Sequence, residues 1–286
     1  MKKIIVALSL LVSIMAEAKN VEIQGHRGAR GDWPENTLPA FAAAIEAGAD
    51  CLELDLLCTA DGEIVIHHDY FANPNFCAYL DGSSIPVPTS LIYSLTLEQV
   101  KQIDCGAKTN PRFPRQRAMP GTTIPTLGEL LDMIANLSHP HAKKIRLNLE
   151  IKRKPGNPEY TPPPALFVER ILQIVKKHNF SSRVYYSSFD PQILAEVRKQ
   201  EPKAKLAFLF SLEGLIDYAR TLGVEIISPE HNLIQGKDTV TRLHQLGFKV
   251  VVWTVNDLPR ASELISFGVD GLITDYPEDF LNQLRD

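Results

Sequence analysis

Short apolar runs alternate with longer amphipathic stretches along nearly the whole chain, and that rhythm limits the folds open to it. Strand-like runs fall at 21–25, 51–57, 145–151, 184–188, 205–210, 225–228, 249–254 and 271–274. Helical periodicity lies between most of them, at 38–47, 127–137, 165–178, 192–200, 212–222, 237–246 and 258–267. Strands separated by helices of this length specify βαβ units and a parallel sheet. Eight such units are the number that closes a (β/α)8 TIM barrel. An α/β barrel is therefore the expected fold, with an open doubly wound sheet as its rival. A chain of 286 residues, 44% of them hydrophobic, has the length and the apolar content for one such barrel and its core.

Two segments break the rhythm. Residues 64–68 (Ile-Val-Ile-His-His) look like a further strand, but too few residues separate them from 51–57 for a parallel crossover. Asp61-Gly62 is a hairpin signal. The segment is expected to fold back antiparallel and bring His68 to the C-terminal end of the second strand. From about Phe71 to Gly121 the chain is rich in proline, at 74, 86, 88, 111, 114 and 120. This stretch is read as a cap segment inserted after strand two, over the barrel mouth. Cys77 and Cys105 lie in it and are candidates for a disulfide that would staple it. Cys51 and Cys58, in or beside an apolar strand, are expected to be packed thiols.

The N-terminal residues read as a signal peptide over 1–18. Lys2 and Lys3 precede an apolar run from Ile4 to Met15, and Ala16-Glu17-Ala18 offers small residues where a signal peptidase cuts. That run is too short for a stable bilayer span, so no membrane insertion is expected after cleavage. The domain itself would occupy 19–286, exported to a periplasm or, failing that, to the medium. A net charge of -4 gives no general attraction to nucleic acid. Any bound anion must be held by a local cluster or a metal.

Active sites of such barrels lie at the C-terminal ends of the strands, so polar residues ending each apolar run are the candidates. The first run ends in Gly25-His26-Arg27-Gly28, where glycines allow close approach of a ligand. In Leu52-Glu53-Leu54-Asp55-Leu56 the period of two places Glu53 and Asp55 on one face. In Asn148-Leu149-Glu150-Ile151-Lys152 it places Glu150 and Lys152 on one face. Three inward carboxylates repel one another and are costly to bury. A hard cation relieves both costs, and Mg²⁺ or Ca²⁺ prefers such oxygens. Lys152 is placed to neutralise charge on a phosphoryl group. Of His67 and His68 only one can enter the site, and His68 is nearer the strand end. His26 and His68 are then candidates to flank one phosphate as acid and base, in either order. Trp253, ending the seventh run, either covers a substrate or packs at the rim. Glu230 and His231 are further candidates at the mouth.

The runs GHRGARG and PENT between Gly25 and Thr37, ELDLLCTADGEIVIHHD from Glu53, IPTLGELL from Ile124, NLEIK from Asn148, VVWTVN from Val251 and GLITDYP from Gly271 carry a family resemblance. In this order they resemble the glycerophosphodiester phosphodiesterase family. The resemblance implies metal-dependent hydrolysis of glycerophosphodiesters to glycerol 3-phosphate and an alcohol. It implies His26 and His68 as general acid and base, and Glu53, Asp55 and Glu150 as ligands of one divalent cation. It further implies Arg27 and Lys152 at the phosphate, Glu35 near the substrate and Trp253 beside it. Two other readings share the pattern: a lysophospholipase D-like enzyme, and a binding protein on the same fold.

Overall fold

A computed structural model describes residues 21–285; the expected signal peptide lies outside them. Strand β1 (Glu22–His26) starts a sheet that continues through β2 (Cys51–Cys58), β6 (Arg146–Ile151), β7 (Val184–Ser188), β8 (Leu206–Phe210), β9 (Ile226–Pro229), β10 (Lys249–Val252) and β11 (Gly271–Thr274). All neighbours in this series are parallel, and β11 returns to pair with β1. The pairing of β1 with β2, with His26 beside Glu53, closes the sheet into a barrel and removes the open-sheet alternative. Strand β3 (Ile64–Ile66) lies antiparallel on β2, with Leu56 opposite Ile66, as the hairpin signal requires.

The alternation of each strand sorts its side chains into two populations. Leu52, Leu54 and Leu56 of β2, and Leu147, Leu149 and Ile151 of β6, join the large core beneath the outer helices. The intervening residues point into the barrel. Cys51, Tyr185, Ala207, Ile226, Val251 and Ile273 form a separate inner cluster, the apolar floor of the barrel. The polar interior includes Gln24, Asn148 and Ser187. Asn148 Nδ2 donates to Gln24 Oε1 at 3.2 Å and Ser187 Oγ donates to Asn148 Oδ1 at 2.7 Å.

Local chemistry sets the helix ends. In α1 (Leu38–Ala47), Thr37 caps the N-terminus, Pro39 stands in the first turn and Gly48 ends the helix in the left-handed region at φ 94°. Helix α3 (Leu127–Asn136) begins with a capping box between Thr126 and Glu129. The structure departs from the sequence expectation in two helices. The stretch 212–222 is a short helix (Leu215–Ala219) and a 3₁₀ turn, because Gly214 at φ 87° and the exposed Leu212 hold its first residues out of helix. A helix not foreseen, Pro277–Arg285, buries Phe280 and Leu281 and pairs Arg285 with Asp50. No helix among the described residues is long and apolar enough to cross a membrane.

The stretch 71–121 carries β4 (Ala78–Tyr79), the short helix α2 (Leu97–Val100) and β5 (Ile103–Asp104), which pairs antiparallel with β4. Its side chains form their own apolar cluster, which also takes in Leu57 of β2 and Val65 of β3. Cys77 and Cys105 face each other one step beyond the Ala78–Asp104 pair. They are free thiols rather than a disulfide, and so are the buried Cys51 and Cys58. A hydrogen bond with Cys77, then burial, pushes the Cys105 thiol well up. Apolar packing, with both sulfurs inside the cluster, holds this segment together without a covalent staple.

Candidate active site

The turn after β1 is built by glycine. A side chain at Gly28 would lie 2.6 Å from the Ala40 backbone, so the turn packs directly on α1. Arg27 itself is left-handed, at φ 52°, a conformation that costs a non-glycine residue free energy. That strained turn aims the Arg27 amide at Glu53 Oε2, 3.0 Å away, and its Nη1 at Glu35 Oε1, 2.7 Å away. Its Nε lies 3.2 Å from Asp55 Oδ2.

Strand register brings the acids together. Glu53 stands beside Asn148, and Asp55 beside Glu150, across the β2–β6 ladder. Glu53, Asp55 and Glu150 each present an oxygen within 4.8 Å of the others, and all three are buried. Burial, then the charges of Asp55 and Glu150, raise the Glu53 carboxyl well above the usual range. Burial pushes Asp55 the same way, but Arg27, Lys152 and His68 outweigh it and hold Asp55 well below. Lys152 Nζ sits 3.1 Å from Glu150 Oε1 and 3.3 Å from Asp55 Oδ1. Desolvation opposes its charge, yet these two acids hold its ammonium protonated. An all-oxygen triad with one member forced towards protonation fits a hard divalent cation.

Both candidate histidines line the cavity of about 630 Å³ above this triad. Each has its Nδ1 against an aspartate. His26 Nδ1 lies 2.6 Å from Asp275 Oδ1, and His68 Nδ1 lies 2.7 Å from Asp69 Oδ1. The nitrogen left free in each ring is Nε2, and that of His26 lies 3.8 Å from Glu53 Oε2. Burial lowers His26 to about 4; Asp275 opposes this, whereas Arg30 and Arg27 add to it. His67 turns away, with Nε2 3.2 Å from the Phe71 carbonyl.

All nine residues expected at the site occur at this end of the barrel. His26, Arg27, Glu35, Glu53, His68, Glu150 and Trp253 line the cavity, and Asp55 and Lys152 are tied to it by ion pairs. Trp253 donates its indole N–H to the Ser228 carbonyl at 2.7 Å and meets the Phe189 ring edge-on at 5.5 Å. Glu230 and His231 do not reach the cavity. The chain enters a 3₁₀ turn there, and Arg260 Nη2 donates to the His231 carbonyl.

Four residues escaped the sequence reading. Asn36 donates to Asp55 Oδ2 at 2.8 Å from a left-handed position at φ 56°. Arg30 lies 3.0 Å from Asp275 and 3.7 Å from Glu35. Asp69 and Asp275 back the two histidines. Asp275 was findable, since it ends the last apolar run as His26 ends the first; Arg30 and Asn36 lie in loops with no periodicity to point at them.

Comparison with known proteins gives a consistent picture. The model of the glycerophosphoryl diester phosphodiesterase family matches residues 26–279. A glycerophosphodiester phosphodiesterase of Caldanaerobacter subterraneus is 33% identical over 268 residues, covering 91% of this chain and 96% of that one. The crystal structure of a putative glycerophosphoryl diester phosphodiesterase from Silicibacter pomeroyi superposes with a TM-score of 0.86 at 31% identity, over 93% of each chain. A phosphodiesterase of Oleispira antarctica, solved with the product sn-glycerol-3-phosphate, shares the fold at a TM-score of 0.75. It is 24% identical over 93% of this chain and 97% of its own.

Proposed function

This chain belongs to the glycerophosphoryl diester phosphodiesterase family, and on that premise we propose that it hydrolyses glycerophosphodiesters such as glycerophosphocholine and glycerophosphoethanolamine. The products are glycerol 3-phosphate and the free alcohol. The observation that carries this reading is the buried carboxylate triad lying beside two histidines, each with an aspartate on its Nδ1. The activity named for the Caldanaerobacter relative and the product bound in the Oleispira structure agree with it.

Glu53, Asp55 and Glu150 are the residues that would hold one divalent cation, Ca²⁺ or Mg²⁺, which when bound supplies Lewis-acid polarisation of the phosphoryl oxygens. Arg27 and Lys152 bring fixed positive charge to the same place and neutralise charge that develops on the phosphoryl group. Glu35 orients the Arg27 guanidinium through its 2.7 Å hydrogen bond. His26 and His68 share the proton transfers: one takes a proton from the attacking hydroxyl and the other gives one to the departing alkoxide. Net, water adds across one phosphorus–oxygen bond. Trp253 and Phe189 flank the organic part of the diester.

The cap-side walls of the cavity include Asn73, Asn75, Asn110 and Arg112. With Phe76, Pro111 and Phe113 among them, these polar groups suit the head group of a small, soluble diester. Export from the cytoplasm is part of the proposal and rests on the leader pattern at residues 1–18. The test is release of glycerol 3-phosphate from glycerophosphocholine, first with EDTA and then with Ca²⁺ or Mg²⁺ restored. Release that stops with chelator and returns with a cation supports the reading. No release under any of these conditions would overturn it.

A further inference from the structure

We infer that Asp275 is the positioning residue for His26, fixing the proton on Nδ1 so that Nε2 is the nitrogen that exchanges protons at the phosphate. The inference rests on the proposed role of His26 in proton transfer. Asp275 is fixed on both of its oxygens. Its side chain is buried, and every oxygen has a partner. Oδ1 takes the His26 ring nitrogen at 2.6 Å and faces Arg30 Nε at 3.0 Å. Oδ2 accepts from Asn256 Nδ2 at 2.6 Å and from Arg30 Nη2 at 3.4 Å.

Asn256 is fixed in turn. Its Oδ1 accepts from the Asp275 amide at 2.9 Å and from Thr274 Oγ1 at 3.3 Å. Its amide orientation is thereby set, with the NH₂ group on Asp275. Burial opposes the Asp275 charge, but His26 and then Arg30 outweigh it and keep the carboxyl ionised, and therefore an acceptor only. An acceptor-only carboxylate at 2.6 Å admits one neutral tautomer of His26, the one with hydrogen on Nδ1. It also stabilises the imidazolium that forms when Nε2 takes up a proton.

His68 has a looser counterpart. Asp69 is its neighbour in the chain, its side chain is 29% exposed, and Asn73 Nδ2 at 3.2 Å is its further side-chain donor. The two histidines thus share one design, but only His26 is held by a buried network spanning β11, the loop after β10 and the turn after β1.

The network dictates what Asp275→Asn would do. Asn256 still offers a donor where Oδ2 lay, so the new amide turns its oxygen there and its NH₂ group towards His26. Nδ1 must then accept, and the hydrogen moves to Nε2.

The test is steady-state hydrolysis of glycerophosphocholine at saturating divalent cation. Asp275→Asn should lower kcat by roughly 10²-fold with KM and cation affinity near the wild-type values. The ¹⁵N shifts of His26 should report hydrogen moving from Nδ1 to Nε2. In a His26→Ala background the same substitution should cost nothing further, because the two act as one unit. Asn256→Ala, which leaves the carboxylate in place, should lower kcat less and serves as the readout if Asp275→Asn does not fold. Wild-type kcat in both variants, or an equal loss with His26 already absent, would overturn the positioning role. Wild-type kcat in His26→Ala alone would instead overturn the functional reading beneath it.

Discussion

The two arcs of the barrel mouth differ in kind. Strands β1, β2 and β6 send His26, Glu53, Asp55 and Glu150 inward, with Lys152 following β6. The opposite arc, β8 to β10 and the residues just beyond, sends in Leu209 and Trp253, above the apolar floor of Ala207, Ile226 and Val251. One closed sheet thereby supports a charged wall and an apolar wall in a single cavity. The charged wall costs stability unless its carboxylates are matched by cations. The apolar wall costs little and can change without touching the chemistry. Substitutions on the charged wall should therefore alter rate, and those on the apolar wall mainly affinity.

The charged arc should break first. His26→Ala and His68→Ala should each lower turnover of glycerophosphocholine by about 10²-fold or more, with the fold intact by circular dichroism. Near wild-type turnover in both would erase the functional distinction between the arcs. On the apolar side, Trp253→Ala should raise KM by several-fold while kcat moves less, and Phe189→Ala, whose ring lines the same cavity edge-on to Trp253, should do the same more weakly. A kcat loss matching that of the histidine variants would show that the apolar wall takes part in the chemistry.

A smaller effect sharpens the comparison through pH. With divalent cations removed, Glu53 titrates above the usual carboxylate range because of burial and the adjacent acids. The folded chain then keeps a proton that the unfolded chain releases above about pH 4.3. The folded state binds more protons in that window, so this group's contribution to stability falls as pH rises through it. Melting temperature in EDTA should decline by a few degrees upward from about pH 5, and Glu53→Gln should flatten that decline. An equal decline in the variant would place its source elsewhere.

The barrel was legible because alternation and helix period repeat along the whole chain. The triad was legible for the same reason: Glu53, Asp55 and Glu150 interrupt apolar strands at positions whose neighbours must face outward. What escaped lies where the backbone leaves regular geometry. The left-handed turns at Arg27 and Asn36 aim side chains that no periodicity predicts. The same irregularity misled in the other direction. Glu230 and His231 follow the apolar strand β9 as His26 ends β1, but a 3₁₀ turn carries them off the cavity. The last helix, Pro277–Arg285, lies beyond the helical runs that periodicity marked, and Pro277 opens it.

On the proposed reading the three inward carboxylates form one cation site. Calorimetric titration of Ca²⁺ or Mg²⁺ into EDTA-stripped protein tests it most directly, with Glu53→Gln and Glu150→Gln beside the wild type. One cation should bind per chain in the wild type, with sharply weakened binding in each variant. Absence of binding in the wild type, or undiminished binding in both variants, would contradict it.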